Sequence, residues 1–326
     1  TNISFTGSLF ADTNAVDPSG KDIEILNRYY ASPFSSDWAE ERVCIYAESA
    51  VPEPDGVSVT ITPVANAIVT TNTYTNYVSG TGIVYKAYVI RPNSTWGVTG
   101  TATFSVDVEA AFEYLVCGAG GAGGTPYGGG GGGGVVSVGN VTLPVGSHVV
   151  TCGAGGVSAS GGSSSVGAYV ISAGGLQGGN GAINGRPCGD GGASGSAAGG
   201  LDYYGRSVAG GGGAARGYEA GGNARAKGER NAYGGNGAAA YNSTITGSSA
   251  YYGAGGGGCA WENNPDDAGR GGLGGGGMGG YNGSVGAHAS GWGAGGGGGG
   301  MYAFTAPGNG YAGIVVLRHV VDIIEP

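Results

Sequence analysis

Where glycine falls constrains this chain more than any other feature. Seven of the 79 glycines lie in residues 1–110, which leaves 72 in residues 111–326, so roughly a third of the second region has no side chain. Collagen is excluded, because Gly follows no three-residue period and the whole chain holds only 12 Pro. Ordinary disorder is excluded as well, since 40% of the residues are hydrophobic and 20 are Tyr. Residues 174–300 form a Gly-rich middle of about 125 residues, too long for a structureless connection inside a folded domain. Ordering glycine costs more backbone entropy than ordering any other residue, so something must compensate. Packed polyglycine II helices would do so: three residues per turn, with no Cβ, their N–H and C=O groups bonding to neighbouring helices. The runs at 210–213, 255–258, 274–277 and 295–300 are the expected interior stretches.

Residues 1–110 follow a different pattern. Residues 57–62 (VSVTIT), 82–90 (GIVYKAYVI) and 101–108 (TATFSVDV) alternate apolar and polar side chains as half-buried strands do. Turn residues separate them at 52–56, 79–82 and 91–93. Residues 35–46 fit a helical turn or an exposed strand equally well. The expected fold is therefore all-β plus polyglycine II. An N-terminal β-sandwich over residues 1–110 precedes a glycine-rich domain over residues 111–326, which is framed by β-strands. Strands are expected at 112–117, in a hairpin turning at Pro144-Val145-Gly146, over 163–172, and at 313–318, a run apolar enough to be central.

Charge divides in the same way. Residues 1–110 carry 12 acids and 5 bases, the rest 10 and 8, matching the net charge of −9. Such an acidic chain is a poor ligand for nucleic acid, and no window approaches the ~20 apolar residues of a membrane helix. The first residues (TNISF) lack the pattern of a secretory signal, which suits a cytoplasmic product as well as a processed one. The five Cys are odd in number and scattered. Cys117 and Cys152 occupy equivalent places in VCGAGG and TCGAGG, and read as small buried hydrophobes.

No pattern of catalysis emerges. The many G-x-G-x-x-G matches are chance in a Gly-rich segment without a βαβ context. His148, His288 and His319 are too scattered for a metal site, and His148 and His319 fall inside expected strands. Residues 261–267 (WENNPDD) concentrate oxygen ligands, but not at EF-hand spacing; an Asn-Pro-Asp turn is the ordinary reading. No catalytic residue, cofactor or metal is expected. The strongest binding segment is residues 203–233, with Tyr203, Tyr204, Arg206, Arg216, Tyr218, Arg225, Lys227, Arg230 and Tyr233. It holds five of the eight bases in residues 111–326. Tyr faces stack on sugar rings and Arg forks grip phosphate or carboxylate groups; equally, Arg stems cover exposed glycine backbone. Tyr251, Tyr252 and Trp261 flank a second interruption.

The order of a YLVCGAGG strand at 114–121, a glycine run, an LPVGSHVVTCGAGG hairpin at 143–156 and a closing FTAPGNGYAGIVVLR at 304–318 resembles the glycine-rich domain of bacteriophage tail-fibre and tail-tip proteins. More loosely, it is similar to the polyglycine II adhesins of T-even-type phages. The resemblance covers residues 112–321 and leaves 1–110 without a family. It implies a virion structural protein of the tail, a receptor-binding fibre or tip that presents loops between polyglycine II helices. Residues 1–110 would attach it to other virion proteins or oligomerise it, for example as a trimer. Its target would be a host surface glycan or outer-membrane protein. A capsid decoration or head-fibre protein, or a cellular extracellular adhesin or matrix protein, is the alternative.

Overall fold

The computed structural model describes residues 25–30, 38–43, 56–126, 128–180, 200–201, 207–208, 225–227, 231–260, 264–300 and 305–325. The chain divides into two compact units, Thr1–Asp55 and Gly56–Pro326. In the first, β1 (Ile25–Tyr30) pairs antiparallel with β2 (Trp38–Val43), so the described part of the 35–46 segment is strand.

The second unit is all-β. In chain order come β3 (Val59–Ala65), β4 (Ala67–Val78), β5 (Thr81–Pro92), β6 (Gly100–Val106) and β7 (Ala110–Cys117). The hairpin β8 (Val136–Leu143) and β9 (Gly146–Cys152) follows, then β10 (Ser164–Val166) and β11 (Val170–Ser172). Short two-stranded ladders join β12 (Gly200–Leu201) to β13 (Ser207–Val208), β14 (Arg225–Lys227) to β15 (Asn231–Tyr233), and β16 (Tyr241–Ser243) to β17 (Ala250–Tyr252). The last strand is β18 (Ile314–Ile324).

Two five-stranded sheets result, ordered β11-β10-β9-β6-β3 and β4-β5-β18-β7-β8. One buried cluster draws Ala102, Phe104, Val150 and Cys152 from the first sheet and Tyr88, Ile90, Phe112, Val315 and Leu317 from the second. The opposite face of the second sheet is also covered: Leu115, Cys117, Ile314 and Val316 meet Ile245 and Tyr252. Burial on both faces explains why β18 begins with an unbroken apolar run. Burial pushes the Cys152 thiol up to about 12 and the Cys117 thiol further still. Both are unpaired, as small buried hydrophobes.

Two expectations change. The boundary at 110/111 has no counterpart in the sheets, because β5 pairs with β18 and β6 with β9. A strand apolar on both faces needs a neighbour on each side, and β18 takes one from before residue 110 and one from after it. Residues 163–172 are a hairpin rather than one strand, folded beside Gly167 at φ 51. Residues 67–78, for which the sequence reading set no expectation, form the 12-residue strand β4.

Beyond the strand ends run the glycine segments. Residues 118–124 leave β7 and residues 129–135 return to β8, bonded at Gly118 N–Val135 O, Gly121 N–Gly132 O and Gly124 N–Gly129 O, each 2.9 Å. The step is three residues. In the segment leaving β17, Gly256 and Cys259 donate to Gly131 and Gly128, Gly255 and Gly258 to Ala238 and Gly235, and Gly257 and Ala260 to Gly277 and Gly280. Three directions, each repeated every third residue, give one segment three neighbours. Close approach is what the missing Cβ permits: on Gly257 it would meet the carbonyl of Gly269.

Candidate functional site

Turns between glycine segments fall at both ends of the bundle: those at 273–275 and 291–293 lie at the sheet end, where Gly274 sits beside Tyr251 and Gly293 beside Cys117, and another group gathers at the end away from the sheets. Thr125 N donates to Asn180 Oδ1 at 2.8 Å, joining the first turn to the last described residue before the 181–199 segment. Thr125 Oγ1 donates to Thr305 O at 2.6 Å, and Thr305 Oγ1 to Gly300 O at 2.9 Å. The turn at 281–284 closes through Ser284 Oγ, which accepts from Tyr281 N and donates to Tyr281 O, both 2.7 Å. Gly283 takes φ 71 at its tip with open space around it. Gly300 N donates to Ser284 O, and Ala260 N to Gly280 O. One end of the domain therefore gathers residues 125–126, 180, 260, 281–284, 300 and 305. The polar side chains among them, Thr125, Asn180, Tyr281, Asn282, Ser284 and Thr305, carry hydroxyl and amide groups, suited to adaptable hydrogen bonding rather than to acid–base chemistry.

The expected binding residues distribute unevenly. Tyr203, Tyr204, Arg206, Arg216, Tyr218, Arg230 and Trp261 lie outside the described residues. The β14–β15 ladder sets Arg225 opposite Tyr233 and Lys227 opposite Asn231, with Tyr233 37% exposed. Tyr251 is 40% exposed, but it belongs to β17 at the sheet end, beside Gly274. Tyr252 is 1% exposed, packed against Leu115, Cys117 and Val136, and burial pushes its phenol up to about 12. It cannot stack on a ligand. Alternation along a strand sends neighbouring tyrosines to opposite faces, so Tyr251 and Tyr252 form no patch.

The histidines are structural. His319 is buried between Phe112 and Tyr88, whose hydroxyl lies 3.1 Å from Nε2. Burial first, then the nearby Lys86 charge, lowers its pKa to about 4. His148 Nε2 pairs with Pro144 O at 2.9 Å, and His288 Nδ1 accepts from Asn309 N at 2.9 Å. Residues 265–267 form a single 3-10 turn capped by the Asn264 side chain, the ordinary reading of that acidic run. Among the described residues no group of three or more His, Cys, Asp or Glu is arranged to hold a metal, and no helix is long and apolar enough to cross a membrane.

Two features went unread in the sequence. Thr125, Asn180 and Ser284 tie the turns together, and their only signal is position at the ends of glycine runs. On the outer face of the second sheet, Arg318 holds Glu113 Oε2 at 2.6 Å, bonds the Tyr74 hydroxyl and lies over the Tyr85 ring. Tyr74 in turn donates to Ile245 O at 2.7 Å, which anchors the 244–247 loop to the sheet.

Comparison with known proteins finds no matching curated relative and no matching solved structure. A family described as the glycine-rich domain does match, over residues 96–320. That span crosses residue 110 and takes in β6 through most of β18. The chain belongs to the glycine-rich domain family.

Proposed function

We propose that the chain is a structural protein of a bacteriophage tail, a fibre or tip component that binds a host receptor. In this reading the two sheets form a β-sandwich base and the glycine segments are polyglycine II helices; the three-residue period of their hydrogen bonds supports that geometry. The observation that carries the functional reading is the gathering of residues 125–126, the 281–284 turn, residues 300 and 305 and the residue-180 exit at one end. In a bundle whose interior backbones bond to one another, turns are the positions with freedom to vary, and these turns lie together away from the sheets. Loops on a rigid scaffold are where recognition residues accumulate. Residues 1–110 attach the protein to other virion proteins. The 203–233 segment, rich in Tyr and Arg, supplies the contact to a surface glycan or outer-membrane protein, with no cofactor and no bond-breaking step. The protein works in the virion.

Two measurements test this. Purified protein should compete with phage particles for adsorption to host cells; failure to compete contradicts the adhesin reading. Particles carrying Arg225→Ala with Arg230→Ala should adsorb at least tenfold more slowly, with the protein's Tm nearly unchanged, as charges that serve recognition rather than folding require. Normal adsorption by those particles places the receptor site on another loop, and release of sugar from a host glycan by the pure protein overturns the non-enzymatic assignment.

A further inference from the structure

The second sheet ends in an unusual edge. Among the described residues only β5 pairs with β4, along all of Ala67–Val78. Edge strands invite pairing with another chain unless they are short, charged, bulged or interrupted by Pro. The other edges carry such features. Strand β3 has Pro63 and a register shift at Pro63/Ala65, β11 spans three residues, and β8 contains Gly139-Asn140 in its middle. Strand β4 has none: no Pro, no bulge, and no charged residue from Ala67 to Ser79. At its far end Tyr77 is 73% and Val78 58% exposed.

The turn decides which groups face outward. Ser79 and Gly80 both have positive φ (51 and 93), a two-residue type I′ turn whose flanking residues, Val78 and Thr81, bond to each other. Alternation then points the backbone groups of the even-numbered residues at β5. The N–H and C=O of Val69, Thr71, Thr73, Thr75 and Tyr77 are left on the open edge. The same odd-numbered residues share the core face, since Ala67 and Val69 pack on the buried cluster.

We propose that β4 is a self-pairing edge, joining antiparallel to β4 of a second copy of this chain about a two-fold axis at Thr73. A two-fold axis normal to the sheet must match residues of the same face and the same bonding parity. Centring on Thr73 satisfies both, setting Thr73 against Thr73, Thr71 against Thr75, and Val69 against Tyr77 of the other copy. On the outer face Ile68 meets Val78, so the exposed apolar pair at the hairpin tip is covered by the apolar residues at the strand's start. The occupant is a second copy because the edge is complementary to itself. It is also neutral, so two chains of net charge −9 meet where neither carries charge. The two sheets become one across the axis, an isologous contact that closes at two copies.

The test uses the full chain with Cys44→Ser and Cys188→Ser. Sedimentation should give twice the chain mass at tens of micromolar, and Thr73→Lys, which sets two like charges opposite each other, should raise the dimer dissociation constant at least tenfold. In a hydrogen-bonded pair the Thr73 Cα atoms would lie about 5.5 Å apart, within disulfide reach, so Thr73→Cys should crosslink under mild oxidation. Asn76→Cys should not, because two copies of that residue would be about 20 Å apart at ~3.4 Å per residue. A monomer at these concentrations, a dimer in which Thr73→Cys fails to crosslink, or equal crosslinking by both variants overturns the proposal.

Discussion

The sheets and the glycine bundle meet the same requirement, dense packing with every buried polar group bonded, by opposite means. In the sheets the density comes from side chains. Tyr88, Phe104 and Phe112 stack edge to face at 5.5 and 5.3 Å, and Leu317 and Val150 are fully buried. Each such side chain contributes about 1.5–3 kcal/mol by leaving water. In the bundle the buried residues are mostly Gly and Ala, with little carbon to bury. The density comes from backbones brought so near that a Cβ has no room, and cohesion comes from hydrogen bonds such as Gly256 N–Gly131 O and Gly297 N–Ala287 O, both 2.9 Å. Glycine's large ordering entropy means that few of those bonds can be spared. The two regions should therefore fail under opposite changes: the sheets when a side chain shrinks, the bundle when one is added.

The largest effect is expected in the bundle. A Cβ on Gly297 would meet the Met278 carbonyl, and every other glycine of residues 295–300 also meets a backbone carbonyl oxygen. Gly297→Val must push neighbouring segments apart and orphan several buried groups at about 1–3 kcal/mol each. The expected result is no folded protein by near-UV circular dichroism, where a linker would tolerate the change. In the sheets, Phe104→Ala should cost about 3–5 kcal/mol by the cavity it leaves, read as a shift in the urea midpoint at unchanged m.

Smaller effects sharpen the contrast. His319 has its folded pKa lowered to about 4 against 6.5 in the unfolded chain. Between those values the unfolded state binds the extra proton, so stability is full above about pH 6.5 and falls as the pH drops towards 4. The loss should reach about 2–3 kcal/mol, and His319→Gln should flatten the urea-midpoint profile over that range. The smallest change is expected at a glycine outside the packed interior. Gly283→Ala, with open space around it but φ 71, should cost only about 1 kcal/mol of left-handed strain, a Tm shift of a few degrees or less.

Much of the framework was legible because its signals are local. Alternation marked β5 and β6, the apolar run marked β18 as central, and the GAGG repeats marked where β7 and β9 give way to glycine. What stayed hidden depends on partners distant in the chain. Residues 67–78 are rich in the strand formers Ile, Val, Thr and Tyr, but they lack a clean apolar alternation, and it is pairing with β5 that fixes them as a strand. The division at 110/111 followed composition, whereas sheet membership follows which strands β18 needs beside it. Tyr251 and Tyr252 look alike in sequence, yet only the strand's alternation tells which ring is buried. Thr125 and Asn180 are 55 residues apart, and only the bundle's turns bring them together.

The central claim is that the glycine-rich region is an ordered body held by its own backbone, and amide hydrogen exchange tests it directly. Residues 255–258 and 295–298 donate to carbonyls of neighbouring segments, so their amides should exchange as slowly as those of β18 and be released together with them on global unfolding. Exchange of those glycines at the rate of an unfolded chain, while β18 stays protected, would contradict the account.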